Sequence, residues 1–199
     1  IGSREFITDM TTKLPIYESK FKEAANVNNL DWKLLAAISY QESKWNNNAI
    51  SPTGVKGLMM LTKSTATMLG VDRLNPTESI LGASKYITQL SKKYIKYDED
   101  TMMSMTLGAY NVGPGHISDI IKIAIKDNVN IENWLTLKKY LLKLHKKQFY
   151  KNMEYGYARG WEAVQYIENV KQYYDIISFL EEKDKKIQNN ILQEGPRTL

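Results

Sequence analysis

The chain has 199 residues, 43% of them hydrophobic and 25% charged, which gives room for one well-cored domain and little for two. It contains no cysteine, which excludes disulfides and thiolate metal sites, and no run of about 18 uninterrupted apolar residues, which excludes a membrane-spanning helix. The formal net charge of +5, much of it in residues 138–151, suits an anionic partner such as nucleic acid, anionic lipid or cell wall, but does not choose among them.

Residues 1–6 lack the basic-then-apolar order of a signal peptide and read as a cloning remnant ahead of the domain. Pro15 opens the first expected helix, to about Ala25. Asp31 is a suitable N-cap for the second, residues 32–43. A stretch of breakers follows, Asn46-Asn47-Asn48 through Ser51-Pro52-Thr53-Gly54 to Gly57. A short helix over 63–69 ends at Gly70. Asn75-Pro76-Thr77-Glu78 combines an N-cap, a first-turn proline and a capping-box glutamate, and Ile80, Ala83, Ile87, Leu90 and Tyr94 then share one helical face. Further helices are expected over 101–110, around Ile117 to Ala124, over 131–142 and over 161–189. The last carries a stripe of Ala163, Ile167, Val170, Tyr174 and Ile177. No alternating strand pairs and no repeats appear. The reading is one all-α domain over residues 7–181, followed by a charged tail, 182–199, expected to be frayed or extended.

Chemistry centres on Glu42. Leu35, Ile38 and Glu42 are spaced i, i+3, i+7, so the carboxyl lies on the apolar face of its helix. Desolvation there disfavours the charged form, raises the pKa and suits a general acid. A glutamate near a helix end also turns outward to solvent easily, and periodicity alone favours that plainer reading. The small residues of 51–57 allow close approach to a ligand, and Ala109-Tyr110-Asn111 ends a helix with groups able to bond sugar amides and hydroxyls. His116 and His145 have no metal-ligand partner at helical spacing and are expected at the surface.

Taken together and in order, Glu42-Ser43, Ser51-Pro52-Thr53-Gly54, Gly57-Leu58-Met59, Ala109-Tyr110-Asn111-Val112-Gly113 and Glu162-Ala163-Val164-Gln165-Tyr166-Ile167 resemble the soluble lytic transglycosylase family. The likeness runs from about Leu30 to Val170. Ala37 to Ser43, Gly57 to Thr62 and Tyr155 to Gly160 are similar to its membrane-bound lytic murein transglycosylase F group, whose members carry a further N-terminal domain.

The resemblance implies a lysozyme-like fold of the goose type. It implies cleavage between N-acetylmuramic acid and N-acetylglucosamine in peptidoglycan, with closure of a 1,6-anhydro ring. Glu42 would be the single acid/base, and no metal or cofactor is needed. Ser43, Ser51, Tyr110, Asn111 and Tyr166 would position Glu42 or the sugar, Glu162 would support the cleft floor, and Tyr157 is a further candidate. Met60 stands where many relatives have glutamine; a thioether cannot replace that hydrogen bond. The implied protein is a periplasmic monomer acting on glycan strands. It would be associated with the outer membrane through an anchor outside this chain.

Three other readings compete: a muramidase in which water replaces the C6 hydroxyl, a silent wall-binding scaffold module, and a basic nucleic-acid binder. No second carboxylate sits in a matching motif, which disfavours the first. The intact Glu42-Ser43 disfavours the second. Scarce arginine disfavours the third, so no nucleic-acid partner is expected.

Overall fold

The computed structural model describes residues 3–194 and is helical, with no strand among the described residues. The helices run in order α1 (Ser3–Thr12), α2 (Leu14–Asn28), α3 (Trp32–Ser43), α4 (Lys63–Leu69), α5 (Pro76–Ser91), α6 (Glu99–Val112), α7 (Pro114–Lys126), α8 (Trp134–Leu141), α9 (Lys147–Tyr150) and α10 (Gly160–Glu194). A 3₁₀ turn, Lys92–Tyr94, extends α5.

Helix α3 lies at the centre, against α10, α2 and α5. Its residues Leu35 through Tyr40 are all buried, as expected of a helix covered on every side. Asp31 caps it by accepting from Lys33 N at 3.0 Å, and Asn75 caps α5 through Thr77 N and Glu78 N. The expected ranges of α3 and α4 coincide with the observed ones, because caps and the left-handed Gly70 fix both ends.

Other boundaries differ. Helix α2 continues to Asn28 and closes on left-handed Asn29, and α6 runs through the Tyr110-Asn111 segment to Val112. Tyr94, placed on the α5 stripe, is buried in the 3₁₀ turn. On α10 the buried stripe is Ala163, Ile167, Val170, Tyr173 and Ile177; Tyr174 is half-buried, its hydroxyl donating to Asp31 at 2.9 Å.

Residues 3–6 belong to α1, and Phe6 is fully buried, its ring centroid 4.6 Å from those of Tyr40 and Tyr173. At the other end α10 stays helical past residue 182 to Glu194. A Glu181–Lys185 pair at i,i+4 spacing supports this exposed stretch, where fraying was expected.

Candidate active site

Two residues after Glu42 the chain reverses through consecutive left-handed residues, Lys44 (φ 55°) and Trp45 (φ 53°). Non-glycine residues there cost roughly 1 kcal/mol or more each. Packing offsets this. Trp45 is buried and its indole N–H donates to Ala36 O at 2.9 Å, while Lys44 Nζ sits 4.3 Å from the Tyr40 ring centroid and 3.1 Å from Tyr173 Oη. Glu42 is thus held at the last turn of a rigid helix that the chain leaves at once.

The returning loop is tied to the same turn. Leu58 O lies 2.8 Å from Ser43 Oγ and 3.3 Å from Ser39 Oγ. Tyr110 Oη, from α6, donates to the next carbonyl, Met59 O, at 2.8 Å. Gly57 adopts φ +100°, and a Cβ there would come within 2.3 Å of Arg73 O, so glycine is required on both counts. Met60 is left-handed (φ 48°) and half-buried. This loop forms a wall beside Glu42 by backbone bonds rather than by side-chain reach.

Tyr166, from α10, donates its hydroxyl to Glu42 Oε1 at 2.8 Å. Burial pushes the Glu42 carboxyl from its ordinary 4.5 up to about 7, and the Tyr166 bond, which favours the carboxylate, only partly opposes this. No charged neighbour contributes to the shift. Burial also raises the Tyr110 and Tyr166 hydroxyls well above their usual range, and the nearby Glu42 charge adds to both. Both phenols therefore stay protonated donors. The carboxyl stays half-protonated near neutral pH, so it can give a proton and take one back.

The structure ties Tyr166 directly to Glu42, and Ser43 and Tyr110 to the adjoining 57–60 loop that carries Met60; the other expected residues make their hydrogen bonds elsewhere or are exposed. Ser51 Oγ accepts from Val55 N at 3.0 Å and meets Thr53 Oγ1, so it stabilises its own turn. Asn111 is exposed at the end of α6. Tyr157 is 54% exposed and rests edge-on against Tyr150. Glu162 pairs with Arg159 at 2.9 Å on the surface. Among the described residues no hydrogen bond joins these four to Glu42. His145 is exposed as expected, but His116 is half-buried, its Nδ1 enclosed without a partner, because α7 packs that face inward. Ser39 and Tyr86, whose ring lies 5.9 Å from that of Tyr110, were not picked out from sequence. The Ser39–Ser43 spacing, one helical turn, was the available signal for the first.

The family model described as the transglycosylase SLT domain matches residues 19–133, more than half of the chain. The chain belongs to the transglycosylase SLT domain family. The match includes Glu42, the 51–60 loop and Tyr110-Asn111; Glu162 and Tyr166 lie beyond it. The membrane-bound lytic murein transglycosylase F of Shewanella loihica is 40% identical over all of this SLT-family chain and 42% of its own length. That of Pseudomonas fluorescens is 44% identical over 90% of the chain and 37% of its own length. The chain thus spans about two-fifths of these curated relatives. Two solved structures share the fold at 20% identity and a TM-score of 0.58: an inactive mutant of the lytic transglycosylase Slt from Pseudomonas aeruginosa and the 70 kDa soluble lytic transglycosylase from Escherichia coli. They cover 80% and 79% of this chain, and it covers 23% of each. The SLT-family fold here is therefore the all-α, lysozyme-like one.

Proposed function

We propose that this chain cleaves the glycan strands of peptidoglycan as a lytic transglycosylase, with Glu42 as its single acid/base. The observation that carries the reading is a carboxyl raised to about 7 by burial, held by one tyrosine and flanked by a loop fixed through its backbone. Glu42 protonates the oxygen leaving from N-acetylmuramic acid. The resulting carboxylate then takes the proton of the muramoyl C6 hydroxyl as that oxygen attacks C1 and closes the 1,6-anhydro ring. The nucleophile belongs to the substrate, so no second carboxylate is needed, and an intramolecular hydroxyl has a large kinetic advantage over water.

Ser43 and Tyr110 act through the carbonyls of the 57–60 loop, and Tyr166 orients the acid. Asn111, Ser51, Met60, Tyr157 and Glu162 are proposed further along the glycan. The named relatives are membrane-bound, which supports a periplasmic, membrane-associated setting. No helix among the described residues is long and apolar enough to cross a membrane. Mass spectrometry of sugars released from purified peptidoglycan tests the reading. Products ending in 1,6-anhydro-N-acetylmuramic acid, lighter by one water and resistant to borohydride, are expected. Reducible ends alone would replace it with a muramidase, and no release with a binding module.

A further inference from the structure

The turn that follows Glu42 is held from a second side by α1. Among residues 4–12 only Phe6 and Asp9 are buried. Lys13 N donates to Asp9 O at 2.8 Å, which carries the helical geometry one residue past α1. Phe6, Asp9 and Lys13 are thus spaced i, i+3, i+7 and share one face. That face meets the end of α3. The Phe6 ring lies 4.6 Å from the Tyr40 and Tyr173 rings and 5.7 Å from that of Trp45. Asp9 Oδ2 accepts from Tyr40 Oη at 3.2 Å and from Lys13 Nζ at 3.0 Å, and the same Nζ lies 3.5 Å from Lys44 O.

Asp9 is only 5% exposed, and a carboxylate is costly to bury unless it is paired and hydrogen-bonded, as this one is. Burial and the Asp9 charge raise the Tyr40 hydroxyl above its usual range, with Glu5 and Tyr173 adding to the rise, so Tyr40 stays a donor. The residues that α1 reaches are the ones that finish α3. Lys44 N donates to Tyr40 O at 2.9 Å and closes the helix, and Lys44 Nζ lies 3.1 Å from Tyr173 Oη. Trp45 is the second left-handed residue of the turn. Two left-handed non-glycine residues in succession persist only where their surroundings over-determine them. Helix α1 turns its one buried face to that task, two residues behind the acid.

We infer that Phe6, Asp9 and Lys13 are positioning residues for Glu42: they lock the Lys44–Trp45 turn and so keep the last turn of α3, with its carboxyl, in place against Tyr166. The inference rests on the acid/base reading of Glu42. Phe6→Ala empties the aromatic box and should loosen the end of α3. The titratable groups around the carboxyl, Tyr166 of α10 and Tyr110 of α6, are neutral donors, and burial is the larger influence on Glu42. Greater access of water should therefore bring its pKa down from about 7 toward 4.5. The upper limb of the activity–pH profile should move to lower pH, and kcat at pH 6 should fall about ten-fold with KM changed by less than about two-fold. Phe6→Leu, which refills most of the volume, should recover most of both. Lys13→Met removes the bonds to Asp9 and Lys44 O, leaves the box filled, and should move the limb the same way by less. Phe21→Leu, on α2, is equally buried but outside these ring contacts; it should lower the melting temperature and leave the limb in place. A limb that does not fall in Phe6→Ala, with stability lost as in Phe21→Leu, overturns the inference. If Phe6→Ala does not fold, the limb of Lys13→Met decides it in the same way. If the unaltered protein releases no sugar from peptidoglycan, the Glu42 reading fails, and titration of the Glu42 carboxyl by carbon NMR decides the positioning alone. A midpoint lower in the variant than in the parent supports it, and an unmoved midpoint overturns it.

Discussion

The two ends of α3 each carry a carboxylate, and they are treated in opposite ways. At the start, Asp31 accepts from Lys33 N and from Tyr174 Oη and pairs with Lys33 Nζ at 3.1 Å. Lys33 also reaches Glu181, and the two carboxylates raise its pKa against the burial that lowers it. At the finish, Glu42 has one neutral donor and, among the described residues, no cation paired with it. The first acid is compensated and serves the fold. The second is left short of partners, so the cheapest relief is to keep its proton. Scarcity of partners, not an added charge, keeps the proton on Glu42, as the proposed general acid requires.

The sharpest way to break this contrast is Glu42→Gln. The amide preserves shape and can still accept from Tyr166, but cannot deliver a proton. Turnover on peptidoglycan should fall by at least about 10²–10⁴-fold with the circular dichroism spectrum unchanged. A variant that keeps near-normal turnover sinks the assignment.

The same variant should be more stable than the parent above neutral pH. Glu42 has a folded pKa above its unfolded value, so its contribution to stability is fully present below about 4.5 and is lost as pH rises through about 7. At pH 8 the parent therefore holds an underpaired, half-buried charge, and Glu42→Gln removes it. At about 1.4 kcal/mol per pKa unit this gain is on the order of 3 kcal/mol at most. Denaturant melts at pH 5 and pH 8 should show the advantage only at the higher pH. An advantage equal at both would mean that packing, not ionisation, is responsible.

How far such a site can be read from sequence follows from range. The ends of α3 are written locally, in Asp31 at one end and the break after Ser43 at the other, and its apolar face already places Glu42 beside Leu35 and Ile38. The Tyr166 contact spans 124 positions, and no periodicity reports it; only likeness to a family pointed there. Helix α1 was missed for a related reason. Its first residues read as a remnant ahead of the domain until Tyr40, Trp45 and Tyr173 assemble the aromatic box that Phe6 fills. The loop wall is least legible, since it is made of backbone carbonyls at Leu58 and Met59, which every sequence possesses.

Tyr166→Phe sharpens the comparison at the level of one bond. It removes the single group that favours the ionised form, so the Glu42 pKa should rise further above about 7. Activity of the parent should decline as pH passes through neutrality, and this upper limb should move to higher pH in the variant. Turnover at pH 6 should fall about ten-fold, because the acid loses its orientation. Asn111→Ala, exposed and free of the core, should reduce turnover without lowering the melting temperature. An unmoved limb in Tyr166→Phe, with a large loss of stability, would make that tyrosine a core residue only.

The smallest effect is expected at the opposite end, from the same chemical change. Asp31→Asn keeps one oxygen for Lys33 N, so the cap survives, while the amide NH2 that takes the place of Oδ2 can face Tyr174 Oη only as a donor. What goes is the charge facing Lys33, and Glu181 remains 3.3 Å away to hold that cation. Partly exposed pairs of this kind are worth roughly 0–1 kcal/mol. The variant should therefore lose less than about 1 kcal/mol in denaturant melts. Turnover should match the parent. Carboxyl-to-amide exchange at two ends of one helix thus has opposite signs: one stabilises and silences, the other slightly destabilises and leaves catalysis alone. If Asp31→Asn instead cost turnover as well, the helix would be transmitting its N-terminal electrostatics to Glu42. The separation of a structural acid from a chemical one would then fail.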